Sequence, residues 1–381
     1  MTNSSCMPRL RRLTSTRCSL RLLIALSLLA PFAASTADEH SNSYAQHNLV
    51  SDGFSPADHL DRNLVNAWGV AFNPAGFVWV ADNGTGLSTL YDGMGNPQSL
   101  VVTIPGPQAN SGPGTPTGIV FNTSNDFAVS NATTTGPSRF LFATEDGVIA
   151  GWAPNVDSTN ALRAVVTPNA VYKGLTLAAN GTANFLFAAD FHGGKIDVFD
   201  RTFKPVRAAG GFHDPSIPHG FAPFNIMNIQ GDLYVSYAKQ DPEKKDEVDG
   251  RGLGIVNVFD SNGHLIRRIG TGGRLNAPWG MALAPAEFGH FSNRLLVGNF
   301  GDGAILAFDP RNGTFLGRLH KPDGNVLKID GLWGIAFGNG LLNQPTGTLF
   351  FAAGPDSENH GLYGMLSPAP GGRDRDDDDD D

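Results

Sequence analysis

One sentence is written three times along this chain, and it constrains the fold more than any other feature. Asn66-Ala-Trp-Gly-Val-Ala-Phe72 leads to Val78-Trp-Val-Ala-Asp82 and Leu90-Tyr-Asp92. Ala277-Pro-Trp-Gly-Met-Ala-Leu283 leads to Leu295-Leu-Val-Gly-Asn299 and Ile305-Leu-Ala-Phe-Asp309, and Gly331-Leu-Trp-Gly-Ile-Ala-Phe337 leads to Leu349-Phe-Phe-Ala-Ala353. A recurrence of roughly fifty residues built from short apolar runs is the signature of propeller blades. Weaker copies open at Gly118, Gly174 and Asn225, which brings the openings to six. The second run of each unit is continuously apolar, as expected for a strand covered on both faces by neighbouring blades. The prediction is an all-β fold, a single six-bladed β-propeller over residues 45–367.

Within that frame, Gln46–Ser51 has no sequence neighbour to pair with, and blade six lacks a fourth strand after Gly361-Leu-Tyr-Gly-Met365. Asn48-Leu-Val50 is therefore expected to close the ring as the outer strand of blade six, removing an open edge. Asn122 to Ser138 reads as an extended surface loop. The charged insertion Asp241–Gly250 in blade four reads as solvated and mobile.

Residues 1–37 hold five arginines and no acid, then the apolar stretch Leu22–Ala33 and Ser35-Thr-Ala37. That order is expected of an export signal cleaved near Ala37, giving a secreted or periplasmic protein with no span in its mature form. Both cysteines, Cys6 and Cys18, fall inside it. Residues 38–44 read as a flexible lead-in, and 368–381 as a disordered Pro/Gly and oligo-Asp tail. The formal charge is −9, and the basic leader and acidic tail cancel, leaving an acidic body. Such a body does not suit phosphate-backbone binding, so nucleic acid is not an expected partner. The expected partner is a small molecule or an extracytoplasmic protein, and the expected state a monomer.

Asn48-Leu-Val-Ser-Asp52, Leu64-Val-Asn-Ala-Trp-Gly69, Val80-Ala-Asp-Asn83, Asn276-Ala-Pro-Trp-Gly280, Gly298-Asn-Phe-Gly-Asp-Gly303 and Gly331-Leu-Trp-Gly334 carry a resemblance. The chain resembles an uncharacterised family of secreted bacterial six-bladed propellers, some with PEP-CTERM tails, related in pattern to NHL and SMP-30 propellers. It departs from the tailed members by ending in oligo-Asp. The SMP-30 resemblance implies a divalent metal of the Ca²⁺ kind in the channel, polarising a lactone or ester carbonyl. Asn225, Asn276 and Asp330 are the matching residue types, whereas the turn before blade one offers Asn66 and Trp68 where an acid is expected.

Strand parity places the turn before each inner strand and the turn after each second strand on one rim. Ligand sites favour such loop-bearing ends of a rigid scaffold. The rim candidates are Asn66, Asp82, Glu145, Asp190, Asn299, Asp302 and Asp356, and His192 is the candidate general base. Ordinary turn chemistry would also explain most of these Asx residues, and blade packing would explain Trp68, Trp279 and Trp333. No Gly-x-Ser-x-Gly, His-Glu-x-x-His or P-loop pattern is present. The functional expectation is a binding module with a loop-rich rim. A metal-dependent lactonase-like hydrolase and a cell-surface structural protein are the alternatives.

Overall fold

The computed structural model describes residues 41–370 apart from Thr182, so the expected leader, both cysteines and the oligo-Asp run lie outside the described residues. The described residues form six antiparallel blades in chain order, with one short 3₁₀ turn at Gly289–Phe291. The inner strands are Ala67–Phe72, Pro116–Phe121, Tyr172–Ala179, Phe221–Ile229, Pro278–Leu283 and Leu332–Phe337. The ring closes as the sequence implies: Tyr44–Ser51 pairs antiparallel with Leu362–Pro368, from Tyr44 opposite Pro368 to Ser51 opposite Leu362. The Tyr44 hydroxyl fastens this strand to blade five, donating to the Phe288 carbonyl at 3.0 Å and accepting from the Phe291 amide at 3.1 Å.

The apolar second strands are covered on both faces, as at Val78–Asp82, Phe140–Thr144 and Leu349–Ala353. Their side chains sort into six clusters, one at each blade-to-blade interface. Two stretches differ from the sequence reading. The segment after Asn122 contains a hairpin, Ala128–Ser130 with Thr135–Pro137, because Phe127 and Val129 bury within an otherwise polar stretch. The charged insertion of blade four folds back on its own second strand, Glu247 opposite Gln240 and Val248 opposite Lys239.

The inner strands hold the feature that builds the site. Each carries a register shift at the same place, between Ala67 and Val70 in blade one and between Tyr172 and Gly174 in blade three, for example. The equivalent shifts occur in the other four blades. Such a bulge re-aims the side chain it sets apart. The residues set apart are Trp68, Thr117, Lys173, Phe224, Trp279 and Trp333. The aromatic members meet at the axis, Trp68 stacked on Trp333 at 3.5 Å and Trp279 edge-on to both. They plug the channel.

The repeated glycine after each of these residues follows from the same crowding. A Cβ at Gly69 would stand 2.5 Å from the Thr117 carbonyl, one at Gly280 2.5 Å from that of Trp333, and one at Gly334 2.4 Å from that of Trp68. Neighbouring inner strands approach too closely for any side chain directed between them. Blade four is the exception, where Asn225 donates from its amide to the corresponding carbonyl, that of Trp279, at 2.8 Å.

Candidate functional site

Five of the six set-apart positions are aromatic or, at Thr117, bonded to backbone carbonyls. Blade three places Lys173 there. Its side chain is 2% exposed, and its ammonium lies 5.0 Å from the Trp68 ring centroid. A buried ammonium persists only when paired, and three carboxylates surround it. Glu145 Oε1 is 2.8 Å away, Asp246 Oδ1 3.2 Å and Glu247 Oε2 3.8 Å. Glu145 comes from blade two, the other two from the folded-back insertion.

Asparagines extend the network. Asn83 donates to Glu145 Oε2 at 3.0 Å, and Asn66 donates to Glu358 Oε2 at 2.9 Å and to Asn83 Oδ1 at 3.3 Å. Trp68 donates to Asn66 Oδ1 at 3.0 Å, tying the network to the plug. Above it opens a chamber of about 700 Å³, within the size range of small-molecule sites. Its walls include Glu145, Glu247, Asp330, Glu358, Lys245 and Phe300. Phe300 stacks on Trp333 at 4.0 Å, so one wall is aromatic. All six blades thus contribute at one rim.

Charge balance differs from residue to residue. Burial alone would raise the Glu145 carboxyl, but Lys173 and Asn83 hold it below the ordinary range. Burial would likewise lower the Lys173 ammonium, and the carboxylates keep it above its ordinary value. Glu247 is not compensated in this way. Burial pushes it up to about 7, with Lys173 only partly offsetting and Glu358 and Asp246 adding repulsion. Its side chain is 5% exposed, and Oε2 has no hydrogen-bond partner. Glu358 is raised as well, by burial first, with Lys173 and Asn66 opposing.

The loops that present these acids are held deliberately. Asp356, Ser357 and Glu358 occupy the left-handed region in succession, with φ of 56°, 54° and 67°. Each such residue costs of order 1 kcal/mol and needs its surroundings to hold it. Asp330 Oδ2 accepts the Asp356 amide at 2.9 Å, and Gly354 accepts the Glu358 amide at 3.1 Å. Asn276 Oδ1 accepts the Gly250 amide at 2.6 Å and so anchors the far end of the insertion.

The sequence-derived candidates therefore separate. Asn66 and Glu145 belong to the chamber network. Asp82 is fully buried in blade one, its carboxyl raised well above the usual range by burial, with Asp61 adding to it. Asp190 accepts the Val171 and Gly193 amides, and Asn299 bonds the Asn276 amide, the Arg274 carbonyl and Asp302. Asp356 is exposed beside His360, and His192 is an exposed loop residue that does not line the chamber. The three candidate metal ligands do not fit a shared ion: Asn225 Oδ1 accepts the Ile226 amide, and Asn276 and Asp330 are taken up by loop amides. Among the described residues no three His, Cys, Asp or Glu side chains converge as a metal would require.

Lys173, Glu247 and Glu358 are not among the residues the sequence singles out. The available signal was alignment of Lys173-Gly174 with Trp68-Gly69 and Trp279-Gly280, a charge at an aromatic position of the repeat.

No family model matches the sequence. Two uncharacterised proteins of Acanthamoeba polyphaga mimivirus are each 36% identical to it. R648 aligns over 327 residues, 84% of this chain and 78% of its own length. L690 aligns over 329 residues, 84% of each. A protein of unknown function from Bacteroides thetaiotaomicron aligns at a TM-score of 0.52 and 11% identity, over 85% of this chain and 77% of its own, a likeness of fold alone.

Proposed function

This chain belongs to the family of the mimivirus proteins R648 and L690, and we propose that it is a binding propeller whose rim chamber takes one small polar ligand. The observation that carries the reading is the Glu247 carboxylate, buried in the chamber wall beside Lys173 with an oxygen that no donor meets. Leaving a buried acceptor unmet costs about 1–3 kcal/mol, more when it is charged. An export signal at residues 1–37 would put this binding activity outside the cytoplasm.

A second reading has its own observation. A carboxyl near 7 inside a chamber suits a general acid or base at neutral pH, so Glu247 would be the catalytic group if the ligand is turned over. Lys173, held protonated by its carboxylates, would supply a fixed positive charge rather than a nucleophile.

The test is thermal denaturation of the full chain with small amines, carboxylic acids and neutral sugars at millimolar concentration, beside Thr115→Trp, which places an indole at the chamber wall. At least one class should raise the melting temperature of the parent protein by mass action and leave the variant unmoved. Equal shifts in both proteins, or none in either, would overturn the reading.

A further inference from the structure

We propose that the chamber selects an N–H cation, a primary ammonium or a guanidinium group, which donates to Glu247 and Glu358. The proposal rests on the chamber being a ligand site and adds the chemistry it selects. Two of the three Lys173 donors go to Glu145 and Asp246, and at 3.8 Å the ammonium is too far to bond Glu247. A carboxylate can only accept, so whatever completes Glu247 must donate.

The groups that face Glu247 set the sign of the charge. Blade two brings Glu145, blade three Lys173, the insertion Lys245, Asp246 and Asp249, and blade six Asp330 and Glu358. Six carboxylates, Glu247 among them, thus stand against two ammonium groups, and Lys245 is exposed at the mouth. An anion would meet this excess and find the one buried ammonium already bonded. The carboxylates that do converge here already hold the Lys173 ammonium, and among the described residues no group of three His, Cys, Asp or Glu side chains is arranged to hold a metal ion. Donors spread over 2.8–3.0 Å contacts suit dispersed carboxylates better. Phe300 on the chamber wall offers an aromatic face to the carbon skeleton or the charge of such a ligand.

Isothermal titration of the full chain with agmatine and putrescine tests this, with choline, calcium chloride and citrate as comparators, in the parent protein, Glu247→Gln and Glu358→Gln. At pH 7.5 at least one of the two amines should bind one per chain. Binding should weaken about tenfold or more in each variant, and similarly in the parent at pH 5.5, where Glu247 holds a proton that the ligand must displace. Glu247→Gln removes only a charge, and its melting curve establishes that it is folded. If neither amine binds, or if choline binds as tightly, the selection of an N–H cation is wrong. Binding of citrate or calcium, abolished by Thr115→Trp, would also sink it while leaving the chamber as a ligand site. Loss of every response would remove both.

Discussion

A methionine at position 173 keeps the length of the lysine side chain and loses its charge. The buried Glu145 and Glu247 would then lose the ammonium beside them, leaving only the exposed Lys245 nearby. Removing one partner of a buried pair costs about 3–5 kcal/mol, and Lys173→Met is expected to lose that much in urea denaturation. Adding Glu145→Gln should recover part of the loss, because the two residues share one interaction and their effects do not add. If Lys173→Met is neutral, the ammonium is not the centre of the cluster.

At the scale of the strand, the repeated glycine is a packing requirement. Gly280→Ala would set a methyl 2.5 Å from the Trp333 carbonyl, which strand separation alone can relieve. The expected cost is about 2–3 kcal/mol. Asn225→Gly restores the repeat residue and gives up two side-chain bonds, to the Trp279 carbonyl and from the Ile226 amide, for about 1–2 kcal/mol. Denaturation of both should rank them in that order, and the reverse order would mean that inner-strand approach is not what selects glycine. This element was legible in the sequence because close packing recurs with the period of the fold. The site was less so. Glu247 sits in a run of acids and lysines, where composition does not separate a buried acid from a solvated one. Two ladder pairs to the preceding strand and the distant Asn276 bond turn it inward, and composition reveals neither. Glu358 depends on three successive left-handed residues, of which Ser357 and Glu358 are types that seldom adopt that region. Lys173 stood in the right place, but its meaning depends on the bulge that aims it at the axis.

For the molecule as a whole, closure and charge are the two global properties. A chain lacking residues up to Ser51 would leave the outer edge of Leu362–Pro368 unpaired and the cluster between blades five and six without Tyr44. An open edge of that length invites association, so such a variant should aggregate on size exclusion and melt broadly. A monomer with a sharp transition would show that the ring does not need its closing strand. The central claim, that the chamber holds a carboxylate short of a partner, bears on the stability of the entire fold. Glu247 has an ordinary value of 4.5 when unfolded and about 7 when folded. Between those limits the folded chain keeps a proton that the unfolded chain has released, so stability falls as pH rises and stays lower above 7. The measurement is the unfolding free energy of the full chain and of Glu247→Gln at pH 5 and pH 8, without added ligand. The difference between them cancels every other titrating group whose pKa the substitution leaves unchanged. The parent protein should lose about 2–3 kcal/mol relative to the variant on going from pH 5 to pH 8. Parallel profiles would mean that Glu247 is already satisfied, and the case for a ligand in the chamber would go with it.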